Sequence, residues 1–80
     1  MEKIHFNYDK LKGAIREYWK TQSEYAKFLG ISEASLYEKF NSESYFNQPQ
    51  MIKTMSYINE DLLKINEYFF IEKVEKNTTV

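Results

Sequence analysis

Residues 21–41 constrain this chain more than any other stretch. They read Thr-Gln-Ser-Glu-Tyr-Ala-Lys-Phe-Leu-Gly-Ile-Ser-Glu-Ala-Ser-Leu-Tyr-Glu-Lys-Phe-Asn. Thr21 precedes an apolar-periodic run and Glu24 stands three residues on, the pattern of a capping box. Tyr25, Ala26, Phe28 and Leu29 supply an apolar face, and Gly30 stands where a helix ends on a left-handed residue. Ser32 then caps a second helix, Glu33 to about Phe40, with Leu36 and Phe40 facing inward. Counted from Gln22, the small fifth residue Ala26 lets a second helix cross, and the ninth, Gly30, accepts a positive φ. Tyr25, Leu29, Ile31 and Leu36 are the apolar fourth, eighth, tenth and fifteenth. These are the requirements of a helix-turn-helix. One position departs: the eighteenth, usually apolar in this motif, is Lys39, and the apolar residue comes one later at Phe40.

Helical spacing continues on both sides. Tyr8, Leu11, Ile15, Tyr18 and Trp19 recur at steps of three and four, with Asn7 as N-cap. Gly13 lies inside that helix at a cost of about 1 kcal/mol, the kind of position that admits close approach of another helix or a ligand. Residues 41–47 form a polar loop anchored by Phe46. A fourth helix begins near Asn47 or Gln48, with Pro49 in its first turn and Met51, Ile52, Met55 and Ile58 inward. Asn59 is expected to cap a short fifth helix whose apolar residues are Leu62, Leu63, Ile65 and Tyr68. Phe70, Glu72 and Val74 show no clean alternation, which leaves a short C-terminal strand or arm open, and residues 77–80 look frayed. With no repeat or linker, the reading is one all-α, five-helix domain over 1–80, its core about 7–69 and its tail 70–80.

Composition narrows the function classes. The chain has no cysteine, which excludes thiolate metal sites and a cysteine nucleophile. Its one histidine, His5, lies in an N-terminal arm expected to be mobile and solvent-exposed. No metal, cofactor or small-molecule substrate is expected, and with no paired carboxylates or phosphate loop, no enzymatic activity. No run approaches the roughly 20 apolar residues of a membrane span, and the N-terminus shows no apolar signal-peptide core. A cytoplasmic protein without a membrane partner is expected. The 14 aromatic residues exceed what one small core needs, so some tyrosines should lie at the surface.

A family resemblance follows from these residues. Asn7-Tyr8-Asp9-Lys10-Leu11-Lys12-Gly13, Thr21-Gln22, Leu29-Gly30-Ile31-Ser32, Leu36, Lys39-Phe40-Asn41 and Glu67-Tyr68-Phe69-Phe70 resemble small Cro/repressor-like proteins of phages in low-GC Gram-positive bacteria. These belong to the lambda-repressor-like helix-turn-helix superfamily, and the resemblance covers about residues 7–74. It implies a five-helix DNA-binding domain that acts as a homodimer on double-stranded operator DNA. The Lys39-Phe40 placement is normal within this subgroup. Glu33, Glu38 and Glu43, in or beside the expected DNA face, are departures.

In this motif the N-terminal part of the second helix enters the major groove. The residues exposed there are Ser32, Glu33, Ala34, Ser35, Tyr37 and Glu38, followed by Lys39. Ser32 and Ser35 can bond bases or phosphates, Ala34 can pack on a thymine methyl, and Glu33 or Glu38 can accept from cytosine N4. The rival for the two glutamates is a solvated face that contacts nothing; for Tyr37, packing on the domain. Gln22 is placed to bond a phosphate. Asn41, Ser44 and Tyr45 follow the helix, and the resemblance gives that loop backbone contacts, with packing beside Phe46 the rival for Tyr45. Residues 10–39, including Lys10 and Lys12, carry six basic against four acidic groups, a net +2, whereas 41–80 carry −2. The positive half would face DNA. Phe69, Phe70, Ile71 and Val74 are read as the dimer interface, the rival being a tail that folds back on its own domain. The competing function class is a helix-turn-helix protein-interaction module, antirepressor-like, that does not bind DNA. The short length favours a Cro-like role over a long repressor.

Overall fold

The computed structural model describes residues 4–73. Five α-helices follow in order: α1 (Asp9–Tyr18), α2 (Gln22–Leu29), α3 (Glu33–Phe40), α4 (Gln48–Tyr57) and α5 (Ile65–Phe69). A single 3₁₀ turn, Leu62–Lys64, precedes α5. The protein is a small all-α domain, and among the described residues no helix is long and apolar enough to cross a membrane.

The helix starts are held in different ways: Tyr8, not Asn7, is the N-cap residue of α1, and neither it nor Lys64 at the start of α5 makes a side-chain cap bond. The Asn7 side chain accepts the Asp9 N–H at 2.8 Å and so supports the entry to α1. Thr21 Oγ1 accepts the Glu24 N–H at 3.1 Å, but the reciprocal half of a capping box is absent; the Glu24 carboxylate lies 3.5 Å from Lys27 instead. The full box forms at α4, where Asn47 and Gln50 satisfy one another's backbone N–H groups and Pro49 sits in the first turn. Asn59 does not cap the last helical segment. It adopts a positive φ of 59° just after α4, and Asp61 accepts the Leu63 N–H in its place.

All five helices build one interior: Leu11 and Ile15 from α1, Tyr25 and Ala26 from α2, Leu36 from α3, Met55 from α4 and Phe69 from α5. Four side chains read as inward prove exposed: Tyr18, Ile52, Leu62 and Leu63. Trp19 takes the inward place that Tyr18 would have shared. Ile52 lies beside the Met51–Met55–Ile58 stripe, not on it. The 3₁₀ turn holds both leucines on the outside, and α5 buries Tyr68 and Phe69 instead. The aromatic excess divides into two clusters. At one end Trp19 stacks on Tyr57 at 4.7 Å and meets Tyr25 and Phe28. At the other, Tyr8 and Phe40 gather on Phe46, which packs against Phe69 at 5.2 Å. Tyr18, Tyr37, Tyr45 and Tyr57 reach the surface, as the composition demanded.

The two termini of the described chain are clasped together. Asn7 N–H donates to Ile71 O and Lys73 N–H to His5 O, both at 2.7 Å, around an antiparallel bridge between Phe6 and Glu72. The arm that holds His5 is therefore pinned by backbone bonds, although His5 itself is exposed. A second latch comes from the loop after α3. Ser42, buried and at φ 61°, accepts the Phe6 N–H at 3.1 Å, and Tyr45 Oη donates to Ile4 O at 2.7 Å.

One polar pair lies in the centre. Thr54 Oγ1 donates to Gln50 O at 2.8 Å, which leaves it to accept from Tyr25 Oη at 2.7 Å. Removing the acceptor strands a buried phenol, so Thr54→Val should cost about 1–3 kcal/mol in denaturant unfolding. Tyr25→Phe should cost less, and adding it to Thr54→Val should recover part of the loss. Additive effects would show that the pair is not coupled.

Burial also pushes the Tyr8 phenol from its ordinary value near 10 up to about 12, with Tyr45 adding to it. Burial raises Tyr25 too. Unfolded phenols release protons near pH 10 while the folded ones hold theirs. The contribution of these phenols to stability should be level below about pH 10 and fall from there toward pH 12. The check is alkaline unfolding followed by circular dichroism and tyrosinate absorbance; buried tyrosines that ionise before the fold is lost would contradict it.

Candidate nucleic-acid interface

The unit from Thr21 to Asn41 has the expected order of capped helix, tight turn and capped helix. Gly30 adopts φ 79°, and the Ile31 N–H closes back onto Ala26 O at 3.0 Å. Ser32 then accepts the Ser35 N–H at 3.1 Å and starts α3. α3 rests on α2, and Leu36 is its one buried side chain. Phe40 fixes its far end against Tyr8 at 5.8 Å, with the Lys12 ammonium 4.9 Å over the Phe40 ring. The helix is thus attached along one face only.

The opposite face is bare. Glu33, Ala34, Tyr37 and Glu38 are exposed, and none of their side chains has a hydrogen-bond or ion-pair partner among the described residues. Tyr37 is 51% exposed, so packing on its own domain does not hold it. Ser32 and Asn41 are exposed at the two ends of α3, while Ser35 and Lys39 are half-buried at its flank. Gln22, half-buried in the first turn of α2, has no side-chain partner among the described residues. Lys12 stands beside the end of α3.

Several sequence-derived positions are placed elsewhere. The Lys10 ammonium donates to Glu67 on α5 and lies 4.9 Å over the Tyr68 ring, so it is engaged on the α5 side of α1. That hydrogen bond raises Lys10 from its ordinary value and holds Glu67 below its own. Both groups are half-exposed, so the pair adds little stability. Ser44 does not present its hydroxyl: Oγ is buried, without a hydrogen-bond partner. Tyr45 is exposed, but its hydroxyl is committed to Ile4 O and its ring packs on Phe6 at 5.9 Å.

The four residues read as a dimer surface divide. Phe69 is 1% exposed and belongs to the core, because α5 turns it onto Phe46; it is not free to meet a second chain. Phe70 and Ile71 are half-exposed around the terminal clasp, and Val74 lies outside the described residues. Ile4, half-exposed beside Tyr45, joins this apolar surface and was not legible as part of it. Only the pairing of the termini places it there. Among the described residues no group of three His, Asp or Glu side chains gathers in a way that could hold a metal.

Fold and site together define a small all-α domain with one helix face left open. The chain belongs to the family described as "Protein of unknown function (DUF739)", whose model matches residues 4–72. No curated protein matches it.

The two glycines should respond oppositely to Ala. At Gly30 there is space for a Cβ, but the positive φ strains any other residue, so Gly30→Ala should cost about 1 kcal/mol or more. At Gly13 a Cβ would meet only the Arg16 side chain, at 4.0 Å, so no close approach within the domain requires glycine. Gly13→Ala should stabilise by up to about 1 kcal/mol. Thermal melts of both variants decide this, and equal signs would refute it.

Proposed function

We propose that this protein is a sequence-specific DNA-binding transcriptional regulator of the Cro/repressor-like kind. It acts on operator DNA as a dimer, with α3 in the major groove. The observation that carries this reading is the open outer face of α3, held out from the domain by the Gly30 turn and unpartnered among the described residues. An exposed helix of this size fits the major groove, about 12 Å wide. Gln22 and Ser32, each at a helix start, Lys39 in the last turn of α3 and Lys12 beside it supply phosphate contacts that set position. Phe70 and Ile71, with Ile4, supply an apolar surface for a second copy, as a palindromic operator requires. The family resemblance supports the phage setting, and a cytoplasmic location goes with action on operator DNA.

One observation favours a second reading. The open face carries two carboxylates, Glu33 and Glu38, which repel phosphates. A helix-turn-helix protein-interaction module without DNA affinity would tolerate them.

The test is a binding titration against the DNA upstream of its own gene, at low and moderate salt, with Gln22→Ala alongside. The regulator reading expects binding by a dimer that weakens steeply with salt, since each neutralised phosphate releases counterions. Gln22→Ala should weaken it further. No specific binding at low salt by a folded protein would reject that reading in favour of the interaction module.

A further inference from the structure

Glu33 and Glu38 share a face but not a setting. Glu33 opens α3, one residue after the Ser32 cap. Glu38 lies near its exit, where the Glu38 carbonyl takes the Glu43 and Ser44 N–H groups at 2.8 and 3.3 Å and the chain turns into the loop. The entering end of α3 therefore presents Ser32, Glu33, Ala34 and Tyr37. Their hydrogen-bonding capacities differ. Ser32 Oγ accepts from Ser35 but keeps its own proton to donate, which suits a phosphate oxygen. Ala34 offers a methyl group, and the Tyr37 hydroxyl can donate or accept. The ionised Glu33 carboxylate can only accept.

The donor pattern of the major groove turns that restriction into a base choice. Guanine shows two acceptors there, and thymine an acceptor and a methyl group. Both repel a carboxylate. Adenine sets its amine beside the N7 acceptor, so attraction and repulsion compete. Cytosine presents the N4 amine and no acceptor of its own.

The geometry points to Glu33 as a specificity-determining residue that reads a cytosine in the operator half-site through its exocyclic amine. This rests on the regulator reading. The carboxylate lowers affinity for every sequence by repelling the phosphates, and it recovers that loss only opposite cytosine. Its contribution is discrimination more than strength. Glutamine at this position would pair bidentately with adenine and carry no charge.

The test is selection from a random-sequence duplex library by the full chain, with Glu33→Gln, Glu33→Ala and Glu38→Gln run in parallel. Glu33 and Glu38 are exposed and unpartnered among the described residues, so these variants should remain folded. The wild-type motif should contain a cytosine column with a preference of about tenfold. Glu33→Gln should move that column toward adenine and Glu33→Ala should flatten it, whereas Glu38→Gln should raise overall affinity without moving the column. Glu33→Gln should also bind non-specific DNA more tightly than the wild type. A wild-type motif that lacks a cytosine column, or one that survives both Glu33 substitutions, overturns this inference and leaves the regulator reading standing. Loss of the column in Glu38→Gln alone also overturns it. No enriched motif from folded wild type overturns the regulator reading and this inference with it.

Discussion

The left-handed turn at Gly30 decides what the rest of the surface can be. With φ at 79° the chain leaves α2, returns a hydrogen bond from Ile31 to Ala26 and restarts at the Ser32 cap. α3 leaves this turn against α2 with Leu36 inward. An extended residue at position 30 would send α3 away from α2 and expose Leu36. The open face of Glu33, Ala34, Tyr37 and Glu38 is thus a consequence of one backbone angle. No interaction holds that face outward; it is simply what remains when Leu36 is buried.

A helix attached on one side needs a second anchor, and the terminal clasp provides it. Phe40, at the end of α3, meets Tyr8, and Tyr8 follows the arm that pairs with residues 71–73. Ser42 and Tyr45, just after α3, bond that same arm. The N-terminal arm, the C-terminal tail and the loop after α3 therefore form one unit. The same pairing brings Ile4, Phe70 and Ile71 to one surface, so the proposed dimer contact and the seating of α3 share a foundation. Local opening of the clasp would disturb both.

Charge places a second condition on the open face. Lys10, counted among the basic groups of residues 10–39, is drawn to Glu67 outside that stretch. The net +2 counted along residues 10–39 thus overstates the positive charge free to meet a phosphate. Lys39 in the last turn of α3 and Lys12 beside its end remain, next to two carboxylates. Binding by such a face must draw on shape and base contacts more than on a strong positive field.

Much of this was legible in the chain because it is local. Helix order, Gly30, the Thr21, Ser32 and Asn47 caps and the Leu36 position each follow from residues within a turn of one another. So do the residues on the outer face of α3, since the burial of Leu36 fixes the helix phase. Apart from the Asn59 cap, where Asp61 two residues on takes the role, the misses have a different cause. Tyr18, Ile52, Leu62 and Leu63 are apolar at positions adjoining a true stripe, and only packing neighbours decide which of two candidates turns inward. Lys10 finds its partner 57 residues away, and Ser42 finds Phe6 across 36 residues. Local hydrogen bonding and helical periodicity let the sequence by itself determine the elements and the face that α3 exposes. The pairing of the termini, the burial of Phe69 and the engagement of Lys10 were decided only by tertiary structure, because each depends on groups that approach only when the chain closes on itself.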